Sequence, residues 1–113
     1  MSFKNNIQQF FPDLFEKWGF EFVNVINDCG GNIVIAQSDK LRVRFVCDRA
    51  DFFLDIGRVA EPDRWIEFYK VIDQLKEEGH VTTGYKYSNK IGPVSRLLDQ
   101  CFPQIQRFFS ESP

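Results

Sequence analysis

The chain of 113 residues is poor in the side chains that carry most metal and covalent chemistry: three cysteines, Cys29, Cys47 and Cys101, and one histidine, His80. Structural zinc takes four nitrogen or sulfur ligands, usually from closely spaced pairs, and no such pair occurs here. No metal and no other cofactor is expected. An odd number of widely spaced cysteines makes no disulfide framework and points to reduced thiols in a cytoplasm. The opening Met1-Ser2-Phe3-Lys4-Asn5-Asn6 lacks the apolar stretch of a signal peptide, and no run approaches the ~18 apolar residues of a membrane span. A cytoplasmic protein with no membrane partner is therefore expected. Basic excess is missing too, since the net charge is −2 and the pI lies near 5.4. That balance disfavours a general phosphate-binding surface, and with it nucleic acid as the partner.

Catalytic patterns fail at the residues that would do the chemistry. Gly79-His80-Val81-Thr82-Thr83-Gly84-Tyr85-Lys86 has the glycine spacing of a phosphate loop, but Tyr85 stands where the lysine is needed. A nucleophilic thiol requires a base beside it, and His80 is the single imidazole. Cys29, in the Gly-rich segment Asp28-Cys29-Gly30-Gly31, is the thiol expected to be exposed. Pairing with His80 would make a minimal nucleophilic site, yet hairpin geometry accounts for the same segment. Cys47 and Cys101 fall on apolar faces and read as small buried hydrophobes. The chain is expected not to be an enzyme.

What is abundant is aromatic: 13 Phe, 3 Tyr and 2 Trp. Rings fill cores and are also enriched at the centres of protein interfaces. A chain of this size builds one core and buries roughly two thirds of the surface it exposes unfolded, and nothing in it marks a linker. We read residues 1–113 as a single α+β domain with an N-terminal helix, a four-stranded antiparallel meander and two C-terminal helices.

Ser2 can cap a helix, and Phe3, Ile7, Phe10, Phe11, Leu14, Phe15 and Trp18 recur at helical spacing up to Gly19. Pro12 predicts a kink there, or two short helices meeting near Phe11. Strand-like runs follow at Phe20 to Asn27 and at Asn32 to Gln37. Leu41 to Asp48 alternates cleanly, and so does the run from Asp51 to Val59. A tight turn at Arg49-Ala50 would pair Phe45 with Leu54 and Val43 with Ile56 on one face, and Val46 with Phe53 and Arg44 with Asp55 on the other. Pro62 and Asp63 suit the first turn of a helix running to Gly79, with Trp65, Phe68, Tyr69, Ile72 and Leu75 as its apolar stripe. Residues 80–90 read as a loop or a short fifth strand. Gly92-Pro93 opens a last helix, which Pro103 is expected to kink.

On the outer sheet face Arg42, Arg44, Val46 and Phe53 would lie together. Cations beside an aromatic on strands suit stacked single-stranded RNA, although the spacing of that module is missing. A helix laid over the face would instead make Val46 and Phe53 a second core layer. Asp48, Asp51 and Asp55 cluster at one hairpin beside arginines, as cross-strand ion pairs do. Residues 61 to 79 hold six acids against three bases, a face able to steer a basic partner.

The run Leu41-Arg42-Val43-Arg44-Phe45-Val46-Cys47-Asp48-Arg49-Ala50-Asp51-Phe52-Phe53-Leu54-Asp55-Ile56-Gly57, followed by Trp65 and an amphipathic helix, resembles a set of small bacterial proteins. In these a strand, an Asp-Arg turn, a strand ending in Asp-hydrophobic-Gly and a Trp-bearing helix recur. Some are similar to immunity proteins of polymorphic or contact-dependent toxin systems. The resemblance covers about a third of the chain and carries no catalytic motif and no functional residues. It implies a cytoplasmic binding protein whose partner is a toxin domain, basic if the acidic balance is meant for it. The residues expected to meet that partner are Asp48, Asp51, Asp55, Glu61, Asp63, Glu67, Tyr85 and Tyr87. The alternative is a single-stranded nucleic-acid or regulatory module using Arg42, Arg44 and Phe53.

Overall fold

The computed structural model of the chain describes residues 2–28, 31–82 and 84–111. Ser2 Oγ accepts from the Asn5 N–H at 3.2 Å and starts α1 (Phe3–Phe10). Pro12 ends it, as the missing donor requires. Phe11 leaves the helical region at φ −125°, and Pro12 becomes the first residue of α2 (Pro12–Glu16). Two short helices thus meet at Phe11, one of the two outcomes expected.

The strands β1 (Glu21–Asp28), β2 (Gly31–Gln37), β3 (Leu41–Asp48) and β4 (Asp51–Arg58) form an antiparallel meander. β1 and β2 pair out to Asp28 and Gly31 on either side of Cys29-Gly30, which lie outside the described residues. In β3 and β4 the register is the expected one, with Phe45 opposite Leu54, Val43 opposite Ile56, Val46 opposite Phe53 and Arg44 opposite Asp55. The Arg49-Ala50 turn closes it with Arg49 at φ 60°, the sign that two-residue hairpins favour.

The next segment departs from expectation in two ways. There is a fifth strand, but it is β5 (Ile66–Glu67), paired with Ile56 and Asp55, while residues 84–89 have no regular structure. The following helix, α3 (Phe68–Glu77), begins six residues after Pro62 rather than at it. Pro62 and Asp63 lie instead in a turn, with the Arg64 N–H donating to the Glu61 carbonyl at 3.1 Å. The edge of β4 offers backbone partners there, and pairing with it wins over the weak local helix signal. Gly57 makes the crossing possible. A Cβ at that position would lie 2.5 Å from the Arg64 carbonyl oxygen, so only a residue without a side chain lets the turn pass.

α3 ends on Gly79 at φ +80°, whose N–H donates to the Lys76 carbonyl. That helix-capping role accounts for the first glycine of the phosphate-loop spacing. Residues 84–90 then run back as a strap, and the Phe52 N–H donates to the Asn89 carbonyl at 2.8 Å. The last helix, α4 (Ile91–Glu111), contains Pro103. It continues without a break past the lost donor because its face is buried on both sides of the proline, through Leu98 and Cys101 before it and Ile105 and Phe109 after it.

All the helices lie on one face of the sheet. Ile7, Phe11 and Leu14, Val71, Ile72 and Leu75, and Leu98, Phe102 and Ile105 form one cluster with Val34, Val43, Phe45, Leu54 and Ile56. Rings organise it: Phe11 sits 5.1 Å from Phe45, and Trp18 5.0 Å from Phe102. Cys101 is buried in this layer, which pushes its thiol up from the usual range.

A methyl at residue 57 has to displace the backbone of residue 64. Gly57→Ala should cost about 1–3 kcal/mol, the usual range for overpacking. Urea unfolding monitored through Trp fluorescence would measure it, and an unchanged midpoint would refute the close crossing.

Candidate partner-binding surface

The outer sheet face carries no helix among the described residues, so Val46 and Phe53 are not a second core layer. Following the register from strand to strand gives two adjoining rows. The first is apolar: Ile26, Ile33, Val46 and Phe53 stand side by side across β1 to β4. Its end members are open to solvent, Phe53 at 46% and Ile26 at 40%. In the second row Ile35, Arg44, Asp55 and Glu67 follow one another from β2 to β5.

The cations of this face are already engaged. Arg44 Nε and Nη2 both donate to Asp55 Oδ2, at 3.0 and 2.8 Å. Its guanidinium also lies 4.6 Å from the Trp65 ring centre, and that of Arg42 lies 5.0 Å from it. Arg42 Nη1 donates to the Pro62 carbonyl at 3.0 Å. The crossing turn thus brings Trp65 onto both arginines, an arrangement of charge over ring face that is favourable at partly exposed sites.

Beside the open face lies a cleft of about 560 Å³ between β4, α3 and the strap. Leu54, Phe68 and Val94 make its buried floor, and Phe53, Glu67, Tyr69, Lys70, Asp73 and Tyr87 stand around its mouth. The strap is pinned there by tyrosines. Tyr85 Oη donates to Asp73 Oδ1, and Tyr87 Oη donates to Asp73 Oδ2 at 2.7 Å. The Ser88 N–H donates to Tyr69 Oη at 2.9 Å, and the Tyr69 and Tyr87 rings meet edge to face at 5.0 Å. Partial burial, followed by the bond to Asp73, drives the Tyr85 phenol well above its ordinary value; for Tyr87 the Asp73 bond is the larger cause of the same upward shift.

The expected partner residues divide into three groups. Glu67 and Tyr87 come together at the cleft, whereas half-buried Tyr85 is not part of its lining and is bonded to Asp73. Asp48 and Asp51 sit at the hairpin end, where Asp51 accepts from Asn89 Nδ2 at 2.7 Å, and Asp63 is exposed on the crossing turn. Asp55 and Glu61 are spent inside the chain, Asp55 on Arg44 and Glu61 on Arg58 and Arg64 at 3.3 and 3.4 Å. Tyr69 and Asp73 were absent from the expected set. Their spacing of four places them on one helix face, but nothing in the sequence placed Tyr85 and Tyr87 beside it.

Cys29 of the suggested thiol–imidazole pair lies outside the described residues, and His80 Nε2 stands 3.8 Å from Glu78 Oε2. Among the described residues no group of three or more His, Cys, Asp or Glu is placed to hold a metal ion, and no helix is long and apolar enough to cross a membrane. Comparison with protein-family models, with curated proteins and with solved structures finds no match to this chain.

The tyrosine–Asp73 clasp needs protonated phenols. Both are shifted up from the ordinary 10.0, so the folded chain holds these protons more tightly than the unfolded one. The stabilisation is complete below about pH 10 and falls as pH rises above it. Denaturant midpoints should therefore be flat from pH 7 to 9 and drop beyond pH 10, with a shallower drop in a Tyr85→Phe/Tyr87→Phe variant. Equal alkaline slopes would rule the clasp out.

Proposed function

We propose that this chain is a non-catalytic, cytoplasmic binding protein of the immunity type, which neutralises a cognate bacterial toxin by covering its active site or another essential surface. The observation that carries this reading is Phe53. It is a large aromatic, 46% exposed, on a sheet face that no described helix covers, and it belongs both to the apolar row and to the mouth of the cleft. Exposed rings held on rigid strands lose little freedom on association and serve as interface anchors. Around it stand carboxylates, Asp48, Asp51 and Glu67, which favour a basic partner.

Nucleic acid is the weaker reading. Arg44 is neutralised by Asp55, and the Trp65 ring face that a base would need is occupied by both guanidinium groups. Single-stranded RNA would therefore meet a face on which Arg44 is already paired and Arg42 is held against Pro62 and Trp65, whereas its binding depends on phosphate neutralisation.

Co-expression with the product of the neighbouring gene, followed by purification, should yield a stoichiometric complex and loss of that product's toxicity. Phe53→Asp should weaken the complex about thirtyfold or more, the effect of losing an interface anchor of ~2 kcal/mol. Its melting temperature should remain near that of the parent chain. A full-strength complex with the variant would refute the assignment of this face.

A further inference from the structure

The cleft beside Phe53 has a composition that selects one kind of group. Its floor is apolar and takes a methylene stem. Its mouth combines three rings, Phe53, Tyr69 and Tyr87, with two carboxylates, Glu67 and Asp73. We propose that this cleft is the receptor for an arginine side chain of the protein partner, with the guanidinium between the tyrosine rings and Glu67. The assignment rests on the binding reading above and specifies its chemistry.

Three observations support it. The sheet face next to the cleft uses the same pair of interactions internally, since Arg44 lies over the Trp65 ring at 4.6 Å while donating to Asp55 at 2.8 Å. A planar cation that donates through its edge and stacks through its face satisfies both at once, which an ammonium does not. Glu67 is the cap residue of α3, yet its side chain makes no capping hydrogen bond, so its carboxylate is not committed to the helix. The rings are also held in place. Tyr87 is 68% exposed, but its hydroxyl is fixed on Asp73 and its ring rests against Tyr69. A cation entering this mouth therefore meets rings already oriented, with little ordering cost.

Two features work against a cation. Lys70 shares the mouth, and the N-terminus of α3 contributes about half a positive charge that fades within one turn. Two carboxylates exceed these together, so the net sign at the mouth stays negative. An anion would meet that excess directly.

The probe is the peptide acetyl-Gly-Arg-Gly-amide, titrated into the 15N-labelled chain, with the neutral citrulline analogue as its control. The arginine peptide should shift the amide signals of Leu54, Glu67, Lys70 and Asn89 saturably, and the citrulline peptide should bind several-fold more weakly. Glu67→Gln should weaken arginine binding about two- to fivefold, the scale of an exposed ion pair. Lys70→Gln should strengthen it. Tyr87→Ala should weaken it by a similar factor, and Tyr87→Phe, which keeps the ring, should bind more tightly than Tyr87→Ala. Signals that do not move, or equal binding of the two peptides, would overturn the assignment. A chain that ignores the peptide yet still forms a Phe53-dependent complex with its protein partner would overturn the arginine receptor alone and leave the binding reading standing.

Discussion

The passage of residues 61–65 across Gly57 is the constraint on which the functional half of this molecule depends. The crossing brings the Arg64 carbonyl so close to the β4 backbone that no side chain fits between them. Because the chain crosses there, Ile66 and Glu67 reach the β4 edge and pair with it, and α3 begins at Phe68. The same passage lays Trp65 over Arg42 and Arg44. One small residue therefore sets three things: where the sheet ends, where the helix starts, and which cations remain available on the outer face.

From that constraint the two sides of the sheet acquire different characters. The inner face is filled by helices whose apolar stripes meet Val34, Val43, Phe45, Leu54 and Ile56 in one cluster. The outer face keeps an apolar row ending in Phe53, closed off on one side by the ring-and-arginine stack. Antiparallel sheets commonly turn one face to solvent, but that face is then usually polar. An aromatic anchor on it, next to a cleft with an acidic mouth, is what separates this surface from an ordinary solvated one.

Much of the fold was legible in the sequence because local and long-range signals agreed. In β3 and β4 the alternation pairs apolar with apolar and Arg44 with Asp55, so a one-residue slip would have failed on both faces. Pro12 likewise marked the junction of two helices. The start of α3 was not legible, since Pro62-Asp63 suits a turn as well as a first helical turn. Only the edge of β4, whose Asp55 and Ile56 pair with Glu67 and Ile66, decides between them. The cleft was half legible. Glu67 and Tyr87 were expected at a partner surface, but Asp73 and Tyr69 reach them only because the strap folds back along α3, which no periodicity encodes. Asp55 and Glu61 were expected there on charge alone, and their arginine neighbours claim them.

The central claim is that the partner meets the outer face of β4 and the adjoining cleft. Amide hydrogen exchange of the chain, free and in complex with the co-encoded protein, tests this most directly. The account predicts added protection over β4, the start of α3 and residues 85–89, with α4 unchanged. Protection confined to α1 and α4, on the helical side of the sheet, would contradict it.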